Sequence, residues 1–232
     1  MDPKKLFYDE RNMNVCIYCG GVAETKDHLP SKIFLRKPYP TNLHAVGACF
    51  KCNNGFSVNE EYMACFLHCV MCGSTNPTEL IDERIAKSLE RNTKLREKIE
   101  NSHEYIGGIM HWNPEIKRIE EVVSKIAKGH IYYELSEIVR EEPVEFHIIP
   151  LNQFDEKGYF DFMKFDCGGV SVWPEIGSRA FLRLTGELND YNLEDRWVNI
   201  QKNIYRYSVE YYPVLQVKMI FSDYLHCHLI WE

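Results

Sequence analysis

The spacing of apolar residues changes twice along this chain. From 14 to 56 they are scattered among glycines, prolines and paired cysteines, a pattern that predicts short segments rather than long elements. Beyond that the period turns helical. Ser57-Val58-Asn59-Glu60 has the form of a capping box and predicts a helix over 58–70. Asn76-Pro77-Thr78-Glu79 offers an N-cap, a proline at the first helical position and a glutamate at the third. Leu80, Ile81, Ile85, Leu89, Leu95 and Ile99 follow as an approximate stripe through a highly charged stretch. Asn113-Pro114-Glu115 repeats that start, and Ile116, Ile119, Val122, Val123 and Ile126 continue it. Gly129 either ends this helix or is passed on the way to Tyr133. From 144 the sequence is β-branched and aromatic, which predicts strands at 144–149, 159–165, 169–173, 205–211, 215–221 and 224–231. Pro213 and Ser222-Asp223 divide the last three into an antiparallel meander. Residues 179–184 fit neither period. The expectation is an α+β chain: a small module over 1–73, a helical segment over 74–140 and a mainly antiparallel sheet over 141–232.

The small module has too little apolar surface to fold on burial alone, so its cysteines change the picture. Cys16-x-x-Cys19 and Cys49-x-x-Cys52 are two pairs, and each can offer two thiolates to one tetrahedral ion through a tight turn. Together they form a closed four-thiolate site, which points to one structural Zn²⁺ whose binding contributes folding free energy. The 29 residues between Cys19 and Cys49 leave room for a strand, a loop and a second strand. Nine cysteines, an odd number, argue against a pure disulfide framework. With no apolar leader in the first residues they predict a reducing, cytoplasmic setting. No apolar run approaches the length of a membrane span, so no membrane partner is expected. Cys65, Cys69 and Cys72 look like a further knuckle without a second pair, and read as small apolar residues of a helix. His226 and His228 share a strand face and read as ordinary cross-strand packing.

The net charge of −7 does not describe a chain coated for nucleic acid, but its distribution does matter. Residues 1–63 hold eight Lys/Arg against seven Asp/Glu, and the remainder 19 against 27. Lys26, Lys32, Arg36, Lys37 and Lys51 gather in sequence around Asp27-His28, where a phosphate backbone would approach.

Asp27, His28 and Asn53 lie inside the bracket of cysteines or directly after it. A neutral imidazole can take a proton from water near neutral pH. One Mg²⁺ or Mn²⁺ prefers hard oxygen donors and keeps several waters, so one carboxylate and one amide from the protein suffice. Adjacent residues of a strand point to opposite faces, so this reading needs a bend at Asp27-His28. Pro30 is consistent with one.

Cys16-Ile17-Tyr18-Cys19-Gly20, then Thr25-Lys26-Asp27-His28-Leu29-Pro30, then Ala48-Cys49-Phe50-Lys51-Cys52-Asn53-Asn54 resembles the HNH endonucleases of the ββα-metal fold, in the branch stapled by zinc. The resemblance covers about residues 14–66. It implies phosphodiester hydrolysis of DNA, with RNA an alternative, in restriction, phage defence or a mobile element. It implies His28 as general base and Asp27 with Asn53 on the catalytic ion. Asn42 would fix the His28 loop, with His44 as an alternative. Asn54, Glu60 and Glu61 are further candidates for the ion. A catalytically silent zinc-stabilised adaptor is the rival. The C-terminal half is open to a homodimer contact or a partner protein.

Overall fold

The computed structural model describes residues 14–41, 43–164, 174–186, 196–211 and 213–232. They form six α-helices and nine strands in three antiparallel sheets. The chain divides into two compact units. One comprises 1–54 with 123–232, the other 55–122. This differs from the division expected at 73 and 140.

In the first unit the 29-residue gap folds as anticipated. Strands β1 (Thr25–Leu29) and β2 (His44–Ala48) pair antiparallel, and helix α1 (Phe50–Cys72) follows directly. That helix starts at Phe50, eight residues before the expected start at Val58. The carboxylate of Glu24 accepts from the Phe50 amide at 3.1 Å and supplies the cap from a distant part of the chain. The second cysteine pair and Asn53 therefore sit in or beside the first helical turn.

A long sheet completes this unit. Its order is β5 (Glu145–Pro150), β9 (Leu225–Ile230), β8 (Gln216–Phe221), β7 (Tyr205–Glu210) and β6 (Val198–Gln201), all antiparallel. The predicted meander matches β7–β9 within a residue or two. The strand expected at 159–165 is instead helix α5 (Glu156–Met163). Asp155 caps it through the Gly158 amide at 2.6 Å, and Phe162 is its buried anchor against Trp197 and Ile220. Residues 179–184 form the short helix α6 (Arg179–Leu184), capped by Ser178. The strand expected at 169–173 lies outside the described residues.

Helix α4 (Ile116–Leu135) joins the hairpin to the sheet through its later turns. It runs through Gly129, where Leu29, fully buried on β1, fills the space that a Cβ would occupy. Tyr132 and Tyr133 close over Ile17, Leu29 and Val46. His130 stacks on Tyr207 with ring centroids 3.5 Å apart, and its Nε2 meets the Tyr205 hydroxyl at 2.8 Å. The loop after β1 is tied to the same sheet, where Gln201 exchanges hydrogen bonds with the backbone of Arg36.

The second unit replaces one expected helix over 80–99 by three pieces. Asn76 caps a single 3-10 turn (Pro77–Glu79). Asp82 then caps α2 (Glu83–Arg91), and Asn92 caps α3 (Thr93–Glu100). Each of these polar side chains accepts a backbone N–H and restarts the chain, which outweighs the continuity of the apolar stripe. A hairpin with no counterpart in the sequence reading follows, β3 (His103–Ile106) and β4 (Ile109–Trp112). Its turn is Gly107-Gly108, both at positive φ, which only a residue lacking Cβ adopts without strain.

Candidate functional site

The two cysteine pairs come together. All four sulfurs lie within 4.8 Å of one another, and Cys19 and Cys49 Sγ are 3.8 Å apart. Tetrahedral Zn²⁺ with bonds near 2.3 Å separates its sulfurs by about 3.8 Å, so the donor set fits that ion. The first knuckle is shaped by its glycines. The Gly20 amide donates to Cys16 O at 2.8 Å with Gly20 at positive φ, and the Cys16 amide donates to Gly21 O. The Cys52 amide points at Cys49 Sγ at 3.4 Å. Burial raises the Cys16 thiol, but hydrogen bonds from backbone amides, Cys49 first, outweigh it and bring it to about 7. Burial and the neighbouring sulfurs push Cys52 the other way. Four sulfurs this close do not all ionise together without a cation to balance them. Among the described residues these are the only cysteines, histidines or carboxylates gathered as a metal-competent group. Cys65 and Cys69 are buried on α1 and burial lifts both thiols to about 12, as befits apolar packing.

The expected trio assembles only in part. Asn53 Nδ2 donates to Thr25 Oγ1 at 3.0 Å, which in turn donates to Ala48 O. Thr25 and Asp27 share a strand face, so Asn53 and Asp27 lie on the same side of the hairpin. The bend required at Asp27-His28 is absent. Asp27 faces Val46 and His28 faces Ala45 in unbroken register, and the chain turns only after Leu29. His28 therefore points to the opposite face, half-buried, on the same side as exposed Lys26.

Asp27 is 4% exposed, and its carboxylate is already engaged. Lys125 Nζ, on α4, lies 2.7 Å from Asp27 Oδ2, and the Tyr18 hydroxyl donates to the same oxygen at 2.7 Å. Lys125 is 2% exposed and also donates to Ser31 Oγ at 3.0 Å. A buried carboxylate requires such a partner, because an isolated ionised group in the interior is far too costly. The position assigned to a divalent cation thus belongs to an ammonium, and Asp27 with Asn53 does not fit Mg²⁺ or Mn²⁺ in this arrangement.

Neither Lys125 nor Tyr18 was anticipated. The signal lay in α4, where Lys125 interrupts the run Val122, Val123, Ile126 and so falls beside the buried stripe. Glu61 accepts from Ser88 within the second unit, which gives it a structural partner there. Glu60 lies in the same unit, and Asn54 is exposed at the end of the first. His44, weighed as an alternative to Asn42, is a core residue. Its Nδ1 meets the Tyr207 hydroxyl at 3.2 Å and its ring stacks on Tyr133. Asn42 itself lies outside the described residues. Lys26, Lys32, Arg36, Lys37 and Lys51 are all exposed, as a phosphate-contacting set requires.

Arginines and tyrosines surround His44 and His130. Glu134 accepts from the Tyr207 hydroxyl and forms an ion pair with Arg183, and the Arg179 guanidinium lies over the Tyr133 ring at 4.3 Å. Burial first, then the adjacent positive charges, holds both imidazoles well below their ordinary range and therefore neutral.

No family model, no curated protein and no solved structure matches the chain. No helix among the described residues is long and apolar enough to cross a membrane.

Proposed function

We propose that residues 14–54 form a zinc-stapled ββα module of the HNH type and that the protein hydrolyses phosphodiester bonds of DNA. One observation carries this reading. A β-hairpin bearing Asp27-His28 leads straight into a helix, and four thiols clamp the hairpin's approach to the helix's first turn, beside Asn53. In this reading His28 takes the proton from the attacking water. It stands on the strand face that also exposes Lys26, so a phosphate drawn to that lysine meets the imidazole. Lys32, Arg36, Lys37 and Lys51 add exposed positive charge in the same unit. Bacterial defence, restriction or a mobile element is the setting that the resemblance implies.

A second reading has its own observation. The Asp27–Lys125 pair satisfies the carboxylate that a catalytic cation would need, which favours a zinc-stabilised nucleic-acid-binding adaptor without hydrolysis. Supercoiled plasmid and a structured RNA, each incubated with the protein and Mg²⁺ or Mn²⁺, separate the two. Nicking or linearisation of the plasmid supports the nuclease, and cutting of the RNA alone moves the substrate class to RNA. A gel shift of either nucleic acid with no cleavage under any divalent ion establishes the adaptor.

A further inference from the structure

The second unit contains a cavity of about 550 Å³ lined by the β3–β4 hairpin, by α3 and by the turn at residues 73–76, and these sides differ in chemistry. One wall is a single face of the β3–β4 hairpin. His103 lies opposite Trp112, and Tyr105 opposite Met110, so strand alternation puts all four side chains on one side. The His103 and Trp112 ring centroids are 5.0 Å apart, and Tyr105 is 65% exposed. The facing wall is α3, which contributes Arg96, Glu97 and Glu100. Thr75 donates to the Glu100 carboxylate and so holds it in place. His103 Nδ1 is buried with no hydrogen-bonding partner among the described residues.

An aromatic and thioether wall takes a flat π-system. Two carboxylates and one guanidinium do not suit a phosphate, since the balance of charge is negative. They suit a planar ligand edge that donates to carboxylate and accepts from arginine. Among the nucleobases guanine presents two adjacent N–H donors on its Watson–Crick edge, with O6 and N7 as acceptors for an arginine. Adenine and cytosine set a ring acceptor next to the amino group, and that acceptor would face the carboxylate unfavourably. The volume falls in the range of a small-molecule site. We propose that this cavity binds a guanine base, stacked on the hairpin face and held at its edge by the carboxylates of α3. Phosphates stay outside. The base comes either from a single strand or from a free nucleotide. The inference does not rest on hydrolysis by the HNH-type module.

Tryptophan fluorescence and calorimetric titration test it on the intact chain. The titrants are guanosine, adenosine, cytidine and uridine, then guanosine monophosphate, then short single strands with one guanine or none. Guanosine is expected to bind about tenfold or more tightly than the other nucleosides. Tyr105→Ala, at an exposed position that leaves the fold intact, should weaken it about tenfold, in line with one lost stacking contact. Glu97→Gln should remove the preference for guanine while retaining weak binding of every base. Tighter binding of the guanine-containing strand than of the mononucleotide assigns the site to nucleic acid, and the reverse assigns it to a free nucleotide. Equal affinity for all four nucleosides, no binding at millimolar concentration, or guanosine binding unchanged by both substitutions overturns the proposal. Because no cleavage is read, a hydrolytically inert protein that binds guanosine contradicts only the nuclease reading.

Discussion

Asp27 on β1 and Lys125 on α4 form an ion pair 2.7 Å apart. Both groups are almost entirely buried, so neither charge has water to fall back on. Lys125→Met should cost about 3–5 kcal/mol in urea denaturation, because it leaves a carboxylate buried without its cation. Asp27→Asn with Lys125→Met should recover most of that loss, since two neutral groups of similar shape need no counter-charge. Equal loss in the single and double variants would show that the two groups do not act on each other. The types of these residues were legible in the sequence, but their partnership was not. Asp27 was readable as chemistry because cysteines bracket it. The ammonium that holds it comes from a helix far along the chain, and nothing local to Asp27 announces it. The surroundings of His44 are hidden from the sequence for the same reason, as its neighbours Tyr133 and Tyr207 arrive from other elements.

Among the elements, the last three strands and the Asn76 cap were readable, whereas the restarts set by Asp82 and Asn92 and the helix at Glu156–Met163 were not. The meander of β7, β8 and β9 follows from alternation and its turns. The four-thiol staple follows from spacing alone. The early start of α1 depends on Glu24 and the break between α2 and α3 on Asn92, single contacts that periodicity does not see. The hairpin at β3–β4 carries a signal of its own, Gly107-Gly108 between apolar residues, in the chemistry of its turn rather than in any period. Two outcomes belong to this scale. Purified protein should carry about one zinc per chain, and Cys49→Ser should lose it together with the folded state of the hairpin. Full proton chemical-shift dispersion in the metal-free protein would contradict that coupling. Gly129→Ala gains helix propensity of about 1 kcal/mol. The added methyl nevertheless meets Leu29 in a closed core, so net destabilisation of about 1–3 kcal/mol is expected. A rise in Tm would mean that α4 and β1 have room to part.

For the whole molecule, the buried histidines set how stability depends on pH. Burial first holds His44, His130, His226 and His228 below the ordinary imidazole range, His228 at about 4. Above about pH 6.5 the folded and unfolded chains both keep these rings neutral. Below it the unfolded chain takes up protons that the folded one refuses. Stability present at pH 7.5 is then lost as pH falls, by about 1.4 kcal/mol per pH unit for each ring that stays neutral. Urea midpoints at pH 7.5, 6.5 and 5.5 check the sign, and a flat profile would mean that the rings charge freely in the native state. If residues 14–54 hydrolyse DNA as proposed, the strand face that bears Lys26 must deliver water to a phosphodiester through the His28 imidazole. The rate of plasmid nicking in Mg²⁺ or Mn²⁺ by wild type and by His28→Ala, each with its zinc content verified, tests this most directly. A fall of at least about a hundredfold in the variant is the predicted result. Equal rates, or no nicking by either protein, would contradict it.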